Sequence, residues 1–251
     1  MGGGRQGLTA ALRALGDLVL PRVCPVCGRL RETAEDGLVC GVCWARLPLL
    51  PWPRCDRCGH PMRGPGCHWC PLLPAYVRTA RSVCWASGRI GLGVVHTLKY
   101  LGWHTVAPEL GLRMSRLTWP LDVVEERCAL IPVPLSSKRR RHRGYNQSEL
   151  LAGVLSRPWG VPVRTDLLER IRHTETQTRL TPGERLHNVS GAFRATPSAR
   201  NVLRGSHVVL VDDVVTTAAT LNACAAALCD GGARIVSFVT FGRAPATGDR
   251  L

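Results

Sequence analysis

Two adjacent carboxylates, Asp212 and Asp213, directly follow the apolar run Val208, Val209, Leu210, Val211 and precede a small, hydroxyl-rich turn with Thr216, Thr217, Ala218, Ala219 and Thr220. At the carboxyl end of a buried strand, such a pair can accept hydrogen bonds from two neighbouring ribose hydroxyls. The N–H groups of the turn, with its threonine hydroxyls, can wrap a phosphate where the following apolar helical segment, Leu221 to Leu228, begins. Strand, acids, turn and helix start together form an arrangement for holding a sugar phosphate, at the sheet edge where open α/β folds bind ligands. An ordinary polar turn is a poor alternative, because two acids beside a buried strand are costly without a partner.

A second chemical feature is the basic run Lys138, Arg139, Arg140, Arg141, His142, Arg143. It leaves a strand expected over Ala129 to Leu135 and precedes Gly144 and a helix from about Asn146. Arginine gives planar, bidentate phosphate recognition, so this run is placed to grip a diphosphate. A polar block from Leu168 to Phe193 has too few apolar residues for a core element. Its arginines suit a hood that folds over an anionic substrate, or a nucleic-acid contact surface.

Eight of the twelve cysteines form four C-x-x-C pairs: Cys24/Cys27, Cys40/Cys43, Cys55/Cys58 and Cys67/Cys70, with 12, 11 and 8 residues between successive pairs. Each pair can present two thiolates to one tetrahedral ion, so two four-cysteine zinc sites are expected. The intervening segments hold too little apolar material for a core, so metal binding must supply their folding energy. Spacing alone admits sequential or interleaved pairing of the knuckles; sequential pairing is expected. His60 and His68 lie close enough to replace a thiolate, but eight cysteines already complete two sites. Cys84, Cys128, Cys224 and Cys229 read as buried core thiols.

These pieces need a scaffold, and 251 residues allow one sizeable α/β domain plus a small module. The expected organisation is an amphipathic helical lead-in over 1–22, a zinc-binding module over 23–73 and the α/β domain over 77–251. Val77 to Ala86 reads as a strand and Gly91 to Gly102 as a short helix. The net charge of +15 rests almost wholly on arginine, since lysine occurs only at Lys99 and Lys138. That excess points to a polyanionic partner, whether nucleic acid, a pyrophosphorylated sugar, or both. Aromatics are only 5% of the chain, but Trp44, Trp52, Trp69, Trp85 and Trp103 gather in or near the zinc half, where they read as fillers of a small core. No segment is long and apolar enough to span a membrane. The thiolate spacing and the interrupted N-terminal apolar run suggest a cytoplasmic protein.

The segment His207–Thr220 resembles the phosphoribosyl-pyrophosphate signature of the type I phosphoribosyltransferases. Over nearly its whole length the chain is similar to the ComF family. The resemblance rests on the cysteine module, L-K-Y-L-G (Leu98 to Gly102), I-P-V-P-L (Ile131 to Leu135), R-x-R-G-Y-N-Q (Arg141 to Gln147), R-x-R-H-T-x-T-Q (Arg170 to Gln177), E-R-x-x-N-V-x-G-A-F (Glu184 to Phe193) and the acidic loop. It implies a type I phosphoribosyltransferase fold, a mostly parallel sheet flanked by helices, with a small N-terminal double zinc ribbon. It implies phosphoribosyl pyrophosphate with magnesium at Asp212, Asp213 and Thr216 to Thr220, diphosphate contacts from Lys138, Arg139, Arg140, Arg141 and Arg143, and a role in natural competence with single-stranded DNA and helicase-type partners. The signature usually has glycine where this chain has Ala218. Alanine disfavours positive φ, so the expectation is a pocket that survives with turnover in question.

Overall fold

Val208, Val209, Leu210 and Val211 are all fully buried, which requires covering layers on both faces of the strand that carries them. The computed structural model describes residues 23–30, 37–62, 64–99, 104–172, 189, 191–246 and 249. The expected lead-in helix over 1–22, Trp103 and the centre of the polar block (173–188) lie outside the described residues. The strands are β1 (Val77–Trp85), β2 (Arg127–Pro132), β3 (Leu168–Arg170), β4 (Phe193–Ala195), β5 (His207–Val215) and β6 (Ile235–Arg243). The α-helices are α1 (Gly41–Ala45), α2 (Gly88–Lys99), α3 (Ala107–Ser115), α4 (Leu121–Glu126), α5 (Ser137–Arg143), α6 (Gln147–Trp159), α7 (Arg200–Leu203) and α8 (Ala219–Asp230).

Four strands form a wholly parallel sheet in the order β1, β6, β5, β2, and β3 pairs with β4 as a separate antiparallel ribbon. Because strand side chains alternate, Val208 and Leu210 enter one core with Leu221, Cys224 and Leu228 of α8. Val209 and Val211 enter the other with Leu110 and Met114 of α3 and Leu151 and Leu155 of α6. Each such side chain taken from water contributes about 1.5–3 kcal/mol. This two-sided burial favours a continuous apolar strand over an alternating one.

The cysteine module closes the β1 edge of the sheet. Leu49 bridges Cys84 in antiparallel fashion, and Trp85 N–H donates to the Pro48 carbonyl at 2.8 Å. Further along the strand, Ala80 N–H donates to the Arg57 carbonyl at 2.8 Å. The edge is therefore paired by the chain's own module, which removes a template for aggregation. The module also straddles the sheet. Cys24, Val26, Cys43 and Leu47 pack into the α3/α6 core, whereas Cys58, Trp69 and Leu73 pack into the α8 core.

Several sequence expectations shift. The strand carrying the acids does not stop at Val211. It continues to Val215, held by register with Thr240, Gly242 and Arg243 of β6. The basic run, expected only to lead from a strand end to a helix from about Asn146, is itself helical as α5, with the Ser136 hydroxyl accepting the Arg139 N–H; arginine is a good helix former. The ends of the polar block do join a core: Leu168 and Phe193, in β3 and β4, are buried. Cys128 is exposed and Cys229 only partly buried, contrary to a reading of both as core thiols, because Cys128 lies at the start of the edge strand β2. Trp69 and Trp85 are buried as expected of core fillers, but Trp52 is 71% exposed, with the Arg54 guanidinium over its ring.

Two knuckle glycines test the packing of the module. Gly28 and Gly59 each sit at positive φ, at +77° and +67°, and each N–H donates to the carbonyl of the knuckle's first cysteine at 2.8 Å. A Cβ on Gly28 would meet open space, but one on Gly59 would lie 2.6 Å from the Ala80 carbonyl oxygen. Gly28→Ala should cost only the left-handed penalty, about 1–2 kcal/mol, a few degrees of Tm in a domain of this size. Gly59→Ala should lower the Tm of the zinc-loaded protein at least about twice as far, since backbone must also move. Equal shifts in the two variants would contradict the docking of this knuckle on β1.

Candidate functional site

The carboxyl end of β5 carries Asp212, partly exposed, and Asp213, 4% exposed. Helices on the α3/α6 side of the sheet supply their partners. Lys99, the last residue of α2, places Nζ 2.7 Å from Asp213 Oδ2, an ion contact that lacks hydrogen-bond alignment. Ser148, in the first turn of α6, donates its hydroxyl to Asp212 Oδ1 at 2.9 Å, and the same oxygen accepts the Asp213 N–H at 2.9 Å. Burial, reinforced by the neighbouring Asp213 charge and opposed by Lys99, pushes the Asp212 carboxyl up to about 7.

The segment before α6 explains how these partners are held. The buried Asn146 side chain accepts the Ser148 N–H at 3.0 Å and donates to the Val133 carbonyl at 3.1 Å, so it caps α6 and fixes it to the end of β2. Tyr145 donates its hydroxyl to the Leu98 carbonyl at 2.6 Å, tying the residue before Lys99 to the same corner. Neither Lys99 nor Ser148 was assigned a role from sequence. Lys99 lies inside the L-K-Y-L-G motif and Ser148 directly follows R-x-R-G-Y-N-Q, and that position is the available signal.

Beyond the acids, Thr216 is exposed, Thr217 and Thr220 are partly buried, and Ala218 and Ala219 are buried. Ala218 adopts φ 59°, ψ 2°, and no other non-glycine among the described residues has positive φ. That conformation costs alanine about 1–2 kcal/mol, and such strain persists where the surroundings over-determine it. As the N-cap of α8, Ala218 provides no side-chain oxygen for the first-turn amides. The Thr217 Oγ1 is buried without a hydrogen-bond partner. An uncapped helix N-terminus and an orphaned hydroxyl in one loop suit a phosphate.

The basic helix α5 joins α6 through Gly144. Lys138, Arg140 and Arg141 are exposed and Arg139 and Arg143 half-buried. Arg140 pairs with Glu149 at 3.1 Å, and Arg143 donates to Gln147 at 2.9 Å. Arg170 of β3 interacts electrostatically with both Arg139 and Asp212, so the base of the polar block reaches the same corner. Arg170 is a further residue that sequence reasoning placed only in a motif.

The eight knuckle cysteines gather as two groups, Cys24/Cys27/Cys40/Cys43 and Cys55/Cys58/Cys67/Cys70, which is the sequential pairing. Sulfur separations are 3.9 Å (Cys24 to Cys43), 3.7 Å (Cys27 to Cys40), 3.4 Å (Cys55 to Cys70) and 3.2 Å (Cys58 to Cys67). Tetrahedral zinc with bonds near 2.3 Å sets neighbouring sulfurs about 3.8 Å apart, and none of the twelve cysteines is in a disulfide. Arg243 supplies an independent check on the fit. It is fully buried, donates to the Cys58 carbonyl at 2.6 Å, stacks 4.1 Å from the Trp69 ring, and keeps Nε and Nη1 unpaired. Its nearby charge partners are Cys58 and Cys67, with Asp249. Zinc with four thiolates carries a net double negative charge, the counter-ion that such a guanidinium requires.

Comparison with known proteins agrees with this geometry. A double zinc ribbon domain matches residues 15–73 and a phosphoribosyl transferase domain matches residues 146–250. The DNA utilization protein YhgH of Salmonella typhimurium is 31% identical over 227 residues, covering 87% of this chain and 96% of that protein. The chain belongs to the ComF family. Competence protein F of Haemophilus influenzae is 41% identical over 113 residues, so the match spans about half of that relative (48%) and 45% of this chain. Competence protein ComFC of Bacillus subtilis is 38% identical over 103 residues, 41% of this chain and 39% of that protein. This ComF-family chain has a type I phosphoribosyltransferase-like fold with an N-terminal double zinc ribbon whose two four-cysteine clusters fit zinc. Among the described residues, no helix is long and apolar enough to cross a membrane.

Two zinc ions per chain should survive a mild chelator and be released only when a mercurial modifies the knuckle thiols, as followed by a zinc indicator. Thiols that titrate freely without releasing zinc would contradict the assignment.

Proposed function

We propose that this chain binds magnesium phosphoribosyl pyrophosphate at the end of β5 and serves the cell in handling DNA taken up from outside. The observation that carries the first half is the juxtaposition of the Asp212/Asp213 pair with a strained, uncapped α8 N-terminus and the orphaned Thr217 hydroxyl. Asp212 and Asp213 accept hydrogen bonds from the ribose hydroxyls. The turn from Thr216 to Thr220 holds the 5′-phosphate, with Thr217 Oγ1 gaining the partner it lacks. Arg139 and its neighbours on α5 face the diphosphate. Magnesium, when bound, would supply neutralising charge for the diphosphate. Lys99 balances the charge of the acids until ligand arrives.

The second half rests on the relatives whose names refer to competence and DNA utilization, and on a net charge of +15 with an exposed basic helix. Single-stranded DNA is the partner that this charge favours, with helicase-type proteins acting beside it in a cytoplasmic setting. Association with a single strand should then weaken steeply with salt.

Calorimetric titration of phosphoribosyl pyrophosphate with and without Mg²⁺ tests the site. Binding should require Mg²⁺, and Asp213→Asn should weaken it at least about tenfold, the scale of one lost charge-assisted hydrogen bond. Ala218→Gly should change it less than about threefold, because the loop already holds the conformation glycine would favour. Unchanged binding in Asp213→Asn would sink the assignment. Pyrophosphate release with added bases would instead reveal an active transferase.

The pH dependence follows from Asp212. Its folded pKa, about 7, lies above the ordinary value near 3.9, so the unliganded protein is stabilised by protonation. That stability is fully present below about pH 4 and is lost as pH rises through about 7. Ligand needs the ionised carboxylate, so binding releases a proton and affinity should rise from pH 6 to 8. Asp212→Asn should flatten the Asp212 contribution; an identical rise in that variant would contradict it.

A further inference from the structure

Beside the second thiolate cluster, three ligand-type side chains converge that neither the knuckles nor the sugar-phosphate site uses. His60, directly after Gly59, is 1% exposed, and its Nε2 lies 2.9 Å from Asp249 Oδ1. His68 approaches the same oxygen with Nε2 at 3.8 Å. The two imidazoles meet edge to face with centroids 4.7 Å apart. Asp249 has a side chain only 7% exposed, and its other oxygen accepts the Ala246 N–H at 2.7 Å. That bond fixes the carboxylate with Oδ1 between the two rings.

We propose that His60, His68 and Asp249 form a third metal site, separate from the thiolate clusters, that takes a divalent transition ion, zinc foremost. The three ligand atoms lie within 4.8 Å of one another. Zinc bonds of about 2.0–2.1 Å set tetrahedral nitrogen and oxygen ligands about 3.3 Å apart, and the observed 2.9 Å and 3.8 Å bracket that value. Two imidazoles and one carboxylate suit zinc and its transition-metal neighbours, whereas magnesium and calcium take all-oxygen sets. Three protein donors leave one position open, as in zinc sites that hold water or an external ligand. His68, 60% exposed, sets that position at the surface.

Charge favours a cation there. The nearly buried Asp249 carboxylate adjoins a zinc–thiolate cluster of net double negative charge, and both act on the buried guanidinium of Arg243. An ion would tie the second ribbon to the segment following β6. Without an ion, His60 and Asp249 are a hydrogen-bonded clasp, and the two cases differ in metal uptake.

The test is zinc titration of the full chain already carrying its two thiolate-bound ions, read by competition with a chromophoric chelator. The unmodified protein should take up a third equivalent. His68→Ala and Asp249→Asn should retain the first two ions, which reports an intact fold, and bind the third at least about tenfold more weakly. In cobalt-substituted protein the third equivalent should add ligand-field absorption without thiolate charge transfer. Saturation at two equivalents in the unmodified protein, or a third ion held equally well by either variant, would overturn the proposal and leave a metal-free clasp.

Discussion

Two carboxylates cannot stand side by side at the end of a buried strand unless something answers their charge. In this chain the answer comes from Lys99 at the end of α2 and Ser148 at the start of α6. Both helices must therefore terminate or begin at the carboxyl edge of β5. That requirement accounts for the buried Asn146 cap, the Tyr145 bond to Leu98 and the parallel register that brings β2 beside β5. Burial and the neighbouring Asp213 charge nevertheless hold the Asp212 carboxyl up at about 7. A site that is costly in the free protein and relieved by a ligand hydroxyl or cation is a site arranged for binding.

The zinc ribbons solve a different problem for the same sheet. A four-stranded parallel sheet has two open edges, and β1 is one of them. The module pairs with that edge and sends one ribbon to each face, so each cluster contributes to a different core. Arg243 fixes the connection chemically, because a fully buried guanidinium on β6 points into the second cluster. Metal in that cluster and order in the sheet are coupled through one side chain.

The sequence made some of this legible and hid the rest for identifiable reasons. The knuckle spacing and the apolar run before Asp212 are local patterns, and two four-cysteine sites and the apolar core of β5 follow from them, whereas which knuckles pair is settled only by the fold. The extension of β5 through the acids to Val215 depends on pairing with β6, which is not local information. Lys99 stands 114 positions before its partner Asp213 and Ser148 stands 64 before its partner Asp212, so these meetings are a property of the fold. The helical state of the basic run rests on arginine's helix propensity and the Ser136 cap, which a run of like charge masks in the sequence. Ala218 read as a defect in a glycine position, yet the loop holds it in the left-handed region nonetheless.

The most direct test of the account is a crystal structure of the zinc-loaded chain soaked with Mg²⁺ and phosphoribosyl pyrophosphate. The account predicts ribose hydroxyls on Asp212 and Asp213, the 5′-phosphate on the Thr216–Thr220 turn within reach of Thr217 Oγ1, and a Lys99 ammonium displaced from its contact with Asp213. A ligand held only by the α5 arginines, with the Lys99–Asp213 contact intact and the turn empty, would contradict it.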